Sequence, residues 1–189
     1  MAADKKGAKR RRLPLVFLDE SGFMLQPVRR RTWAPSGQTP IEDAWDRHDR
    51  LSVIGLINVS PSQRRLSLFF QVLRTNVTAD DMLWFLQQLH DYHRRKVIVI
   101  WDRSSVHRSA AAFFTAHHPG WFEFEELPSY APELNPVEEC WNRTKYTDLP
   151  NFIPHDIDHL DAAVTEAIDN QRDNQTLLHS FFEYAKLPL

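Results

Sequence analysis

The chain has one cysteine, Cys140, in 189 residues, so an internal disulfide framework is excluded and a reducing compartment is expected. No apolar run approaches the roughly 20 residues that a membrane span needs, which argues against an integral membrane protein. The basic start, MAADKKGAKRRR, is followed by no apolar signal-peptide core, and the cytoplasm is the expected location. Neither GxxxxGK[ST] nor GxGxxG occurs, so nucleotide hydrolysis and dinucleotide chemistry have no support. The histidines, His117–His118 among them, lack cysteine or acidic partners at zinc-like spacing. An excess of positive charge is also missing. Against 25 Asp and Glu stand 23 Lys and Arg, a net charge of −2, whereas a dedicated nucleic-acid binder shows a clear basic surplus. The basic residues are local instead: Lys5, Lys6, Lys9 and Arg10 to Arg12 at the start, then Arg29, Arg30 and Arg31. That distribution suits an enzyme acting on DNA with help better than a module built for DNA affinity.

What is present fits one soluble globular domain, with 42% hydrophobic and 25% charged residues. Residues 1–13 read as a basic solvated tail or linker remnant, and 14–189 as the folded domain. Leu15 to Leu18 form a short strand that ends at Asp19. LSVIGLINVS and LSLFFQVL, split by Pro61–Ser62, predict two consecutive antiparallel strands. Thr78 is a helix N-cap with Asp80 and Asp81 in the first turn, and Met82, Phe85, Leu86 and Leu89 recur at helical spacing. KVIVIWD is a continuous apolar run ending in Asp102, the pattern of a buried central strand. Ala112, Phe113 and Ala116 predict a short helix, FEFEELP a strand, and a helix begins near Asn135. Ile157, Leu160, Val164, Ala167 and Ile168 mark another helix, followed by a last one to Tyr184. The expected fold is α/β and ribonuclease H-like: a mixed sheet of three antiparallel strands, then helix-linked strands, with helices on both faces.

Three acids draw attention because two-metal phosphoryl transfer needs anionic oxygens held together on rigid elements, and Mg²⁺ prefers such ligands. Asp19 ends the first strand, with Glu20 projecting to the opposite face; a turn bond to Ser21 or Gly22 is the alternative role for Asp19. Asp102 ends a buried strand, where a carboxylate is costly unless paired or bound; capping the turn at Ser104–Ser105 is its alternative. Glu138 lies three residues after the N-cap candidate Asn135, with Pro136 at the first helical position, so a capping box competes with a ligand role. Glu139 is the rival ligand, about 100° round the helix. Asn142 and Lys145, at i+4 and i+7 from Glu138, put phosphate-contacting groups on the same face. His107 is either a helix-start or surface residue or one with a catalytic or substrate-orienting role. Cys140 is read as a small helix residue.

FLDESGF, RRTWAPSGQTP, LSVIGLI, VIWDRSSVHRS and LPSYAPELNPVEECWNRTK, in this order, resemble the transposases of the bacterial insertion-sequence 630 family, within the Tc–mariner superfamily of DDE enzymes. The likeness runs from about Leu15 to the C-terminus, NFIPHDIDHL included. It implies that Asp19, Asp102 and Glu138, rather than Glu139, are the catalytic metal-binding triad; 35 residues separate the last two, in the range of that superfamily. Arg103 stands where many relatives carry Asn or Gly. The resemblance further implies two Mg²⁺ ions, replaceable by Mn²⁺, and cleavage at transposon ends followed by attack of the 3′-OH on target DNA. The partners it implies are inverted-repeat and target DNA and a second copy in a synaptic homodimer. DNA contacts are expected at Arg29, Arg30, Arg31, His107, Asn142 and Lys145. Relatives carry helix-turn-helix domains ahead of this region. The expectation is that they are absent here, supplied by a separate end-binding polypeptide in a split element. The alternative is a truncated, non-catalytic remnant that dimerises with or inhibits an intact transposase.

Overall fold

The structure, a computed structural model, describes residues 12–38, 41, 49–128, 131–187 and 189. Most of the basic start, Thr39–Pro40 and Ser129–Tyr130 therefore lie outside the described residues. Five strands form one sheet: β1 (Leu15–Met24), β2 (Arg50–Val59), β3 (Leu66–Leu73), β4 (Val97–Trp101) and β5 (Phe122–Glu126). Their spatial order is β3-β2-β1-β4-β5. The first three pair antiparallel, β2 and β3 through a short turn and β1 and β2 across the long segment 25–49, while β4 joins β1 and β5 joins β4 in parallel. Parallel neighbours need a crossover, and the intervening helices α1 (Ala79–His93) and α2 (Ser105–His117) provide it. Then follow α3 (Pro136–Arg143), a single π turn over Thr144–Asp148, α4 (Ile157–Arg172) and α5 (Gln175–Tyr184).

Strand alternation divides the core in two. Leu15, Phe17, Ile98 and Ile100 pack against Val137 and Trp141 of α3, Val164 and Ile168 of α4, and Phe182 of α5. Val16, Leu18, Val97, Val99 and Trp101 pack on the other face against Met82 and Leu86 of α1 and Phe114 of α2. Helices thus cover both faces of the sheet, as the sequence predicts. The α1 cap is as expected: Thr78 and Asp81 bond each other reciprocally in a capping box. In α2 the expected face is rotated. Ala112, Phe113 and Ala116 point to solvent, and His107, Ala110 and Phe114 are the buried set. No helix among the described residues is long and apolar enough to cross a membrane.

Candidate active site

β1 is longer than its apolar run suggests. Asp19 lies in its middle, paired with Gly55 of β2, and not at a strand end making a turn bond. The strand continues through Glu20–Ser21–Gly22 because β2 offers it an uninterrupted ladder of partners. β1 and β4 run in parallel with Leu15 beside Ile98 and Phe17 beside Ile100. The same register, continued past the end of β4, brings Asp102 abreast of Asp19 on one face of the sheet. Glu138 arrives from above, in the first turn of α3. All three carboxylates line one cavity of about 400 Å³, together with Arg103, Ser104, Leu127 and Asn135.

Each acid is held differently. Asp19 Oδ2 accepts the indole N–H of Trp141 at 2.9 Å. Trp141 can reach it because Gly55 has no side chain; a Cβ there would lie 2.5 Å from Trp141 Cη2 and 2.8 Å from Cζ2. Burial, then the charges of Glu138, Glu20 and Asp102, push the Asp19 carboxyl up to about 8, against the pull of the Trp141 bond. Asp102, expected to be the buried acid, is instead well exposed, since β4 stops one residue earlier. Its Oδ1 accepts the Ser104 N–H at 3.0 Å, and His107 Nδ1 stands 2.6 Å away. Ser104 itself caps α2 by accepting the His107 N–H. The helix-turn alternative for Asp102 thus exists beside its place in the cavity, because it occupies only one carboxylate oxygen.

For Glu138 the capping alternative fails. The Asn135 N–H that a capping box would use donates to the Pro132 carbonyl at 2.8 Å. Asn135 caps α3 alone, accepting the Val137 N–H at 3.2 Å, and its own amide donates to the Leu18 carbonyl at 3.1 Å. One buried side chain therefore starts the helix and ties it to the strand residue preceding Asp19. Glu138 is left half-buried and facing the cavity. Burial first, then Glu139 and Asp102, raises its carboxyl, while Lys145 opposes them.

Lys145 is brought to the site by the π turn. Its ammonium donates to Ser21 Oγ at 2.7 Å and lies 5.1 Å from the Phe23 ring centre. Burial lowers its pKa, and the Glu138 and Asp19 charges act against that. Asn142 is exposed, bonded to Glu139 at 3.3 Å. Arg29, Arg30 and Arg31 are exposed on a loop docked against the end of the π turn. There the Arg30 N–H donates to Asn151 Oδ1 at 2.7 Å, and its guanidinium lies 4.8 Å from the Tyr146 ring centre. His107 corrects an expectation. It is fully buried, so it cannot touch DNA; its ring stacks on Trp101 at 4.4 Å, between Asp102 and Glu20. Burial alone would lower its pKa, but the two carboxylates outweigh that and raise it.

Three carboxylates at one cavity, the deepest of them resisting ionisation, make a donor set suited to a hard dication. Among the described residues they do not close into a ready-made cage of three or more ligating groups. Open sites of this kind suit Mg²⁺, which keeps several waters and takes substrate phosphate oxygens as further ligands. A wider groove of about 1050 Å³ beside β3 contains none of the three acids.

Residues 14–161 match the model of the DDE superfamily endonuclease family. No curated protein matches the chain. Among solved structures it is similar to a pre-cleavage Mos1 transpososome at 16% identity and TM-score 0.68, covering 98% of this chain and 58% of that one. It is likewise similar to the Mos1 mariner paired-end complex with Mn, at 16% identity and TM-score 0.67 over 98% of this chain and 58% of that one. The Mos1 strand transfer complex gives 16% identity and TM-score 0.66, over 98% and 57% of the two chains. The chain thus spans a little under three fifths of the length of these relatives, and the likeness establishes the ribonuclease H-like fold.

Proposed function

The chain belongs to the DDE superfamily endonucleases, and from that premise we propose that residues 14–189 form the strand-cleaving and strand-transferring domain of an insertion-sequence 630-type transposase. Asp19, Asp102 and Glu138 are its divalent-metal ligands. The observation that carries this reading is the convergence of these acids, from β1, the end of β4 and the start of α3, on one cavity. When bound, two Mg²⁺ ions, or Mn²⁺ in their place, activate the attacking water or 3′-hydroxyl and stabilise the leaving oxygen.

The chain's own groups prepare that chemistry by holding ligands still. Trp141 fixes the Asp19 carboxylate from the helix side, and the Ser104 N–H fixes Asp102. Asn135 sets the height of α3 over β1, and with it the position of Glu138. Lys145 places a cation beside Asp19 and Glu138, where it offsets part of their charge and attracts a phosphate. Arg29, Arg30 and Arg31 form an exposed basic edge for the DNA backbone, with Asn142 a further contact from α3. The partners we propose are transposon-end and target DNA, a second copy in the synaptic complex, and a helix-turn-helix polypeptide that reads the ends.

Nicking of inverted-repeat DNA in Mg²⁺ or Mn²⁺, with an end-binding partner supplied, tests the reading. Asp19→Asn, Asp102→Asn and Glu138→Gln should each abolish nicking while the chain stays folded. Full activity in any one of them removes that residue from the triad. An inactive wild-type chain under every metal condition would favour a non-catalytic role exerted through pairing with an intact transposase.

A further inference from the structure

Two adjacent acids on β1 meet different fates. Asp19 enters the cavity, whereas Glu20, on the other face of the strand, lies beneath the sheet near His107. His107 is 0% exposed and bridges β1 to Asp102 beyond Phe17–Ile100, where the β1–β4 pairing ends. Its Nδ1 is 2.6 Å from Asp102 Oδ1, and its Nε2 lies 3.0 Å from Glu20 Oε2, within ion-pair distance but out of line for a hydrogen bond. The ring cannot tilt away, because the Trp101 indole stacks on it with 11° between the planes. A histidine buried only to fill space needs one partner; this one has a carboxylate at each nitrogen, and one of them faces the cavity. Asp102 otherwise stands exposed beyond the end of β4, where among the described residues the Ser104 N–H also holds it.

Resting on the metal-site reading above, we propose that Glu20 and His107 are positioning residues that lock the Asp102 carboxylate, committing its Oδ1 to His107 and Ser104 and leaving Oδ2 free for the cation. Glu20 fixes the imidazole from below, the imidazole and Trp101 fix the carboxylate, and the exposed ligand acquires the rigidity of the strand interior. Partners behind a metal ligand typically change affinity by about 10–100-fold when removed.

The test is Mn²⁺ affinity by calorimetry on the full chain with a short DNA duplex present, alongside the thermal midpoint. His107→Ala should weaken Mn²⁺ binding by about 10–100-fold. His107→Asn, whose amide keeps a donor near the Nδ1 position, should restore most of the loss, and Glu20→Gln should fall between. In metal-free protein, the downfield imidazole N–H proton of His107 should disappear in Asp102→Ala. A folded His107→Ala that binds Mn²⁺ like wild type overturns the proposal, as do His107→Ala and His107→Asn weakened equally. Should His107→Ala fail to fold, unchanged affinity in Glu20→Gln overturns it. Mn²⁺ binding that is indifferent to Asp19→Asn and Asp102→Asn would sink the metal-site reading itself; binding sensitive to those two but not to Glu20 or His107 sinks only this one.

Discussion

Gly55→Ala should damage both stability and the site, although it adds one methyl group to an ordinary strand position. Gly55 does not have a positive φ, so alanine meets no backbone strain there. What it meets is the Trp141 indole, at 2.5 Å and 2.8 Å from the new Cβ. Trp141 is 1% exposed and packed edge-on against Phe23, leaving it no free direction to retreat. Overpacking of this kind costs about 1–3 kcal/mol. Displacing the indole also stretches its bond to Asp19, worth about 1 kcal/mol. A total of about 3 kcal/mol lowers the midpoint of a domain this size by about 6–12 °C. Urea denaturation followed by circular dichroism measures the loss, and Trp141→Phe, which removes the clashing atoms, completes a double-mutant cycle. The double variant should be more stable than the two single losses added, with a coupling of about 0.5–3 kcal/mol. Additive losses, or a Gly55→Ala chain within about 0.5 kcal/mol of wild type, would show that Trp141 does not resist the added methyl.

Two further outcomes follow from other contacts. Asn135→Ala removes the α3 cap and the tie to Leu18, and should cost about 2–4 kcal/mol by denaturant unfolding; Asn135→Ser, which keeps a capping oxygen, should recover part of that. Arg30→Ala should weaken binding of any duplex sequence alike and lower the salt slope of binding by about 1, read by fluorescence anisotropy.

Much of the fold was legible in the sequence because its signals are local. Thr78, the apolar run into Asp102, and the 3.6-residue spacing in α4 each report their own element. The candidate site was legible as three acids, which line one cavity, but not as a geometry. Asp102 had the best physical case as a buried carboxylate, yet it is exposed, whereas Asp19 and Glu138 are half-buried. The end of an apolar run marked where hydrophobic side chains stop, not where the ladder with β2 stops. Glu138 matched a capping box, but the Asn135 N–H is taken by Pro132 through a 3₁₀ turn that no spacing rule anticipates. Trp141 and Gly55, which together hold Asp19, carry little signal in the sequence. Their signal was a lone glycine inside an apolar strand, which marks a close approach without naming what approaches.

The burial of Asp19 also separates loss of chemistry from loss of fold. In chelator, the folded chain resists ionising Asp19, whose carboxyl sits near 8 rather than at the ordinary 3.8. A folded-state pKa above the unfolded one means the native chain binds the extra proton, so stability contributed below pH 3.8 declines as pH rises towards 8. At pH 7 this costs at most about 4 kcal/mol, at about 1.4 kcal/mol per unit. Asp19→Asn keeps the shape and an oxygen for the Trp141 N–H but carries no charge. Its thermal midpoint in chelator should therefore exceed that of wild type at pH 7, with the gap closing towards pH 4. Added Mn²⁺ should raise the wild-type midpoint and leave that of Asp19→Asn nearly unmoved, because a bound dication removes the same penalty. The variant would then be more stable and inactive, which is expected where burial, and then the neighbouring carboxylates, keep Asp19 from ionising. A metal-free Asp19→Asn chain no more stable than wild type at pH 7 would show that Asp19 is not carrying that strain.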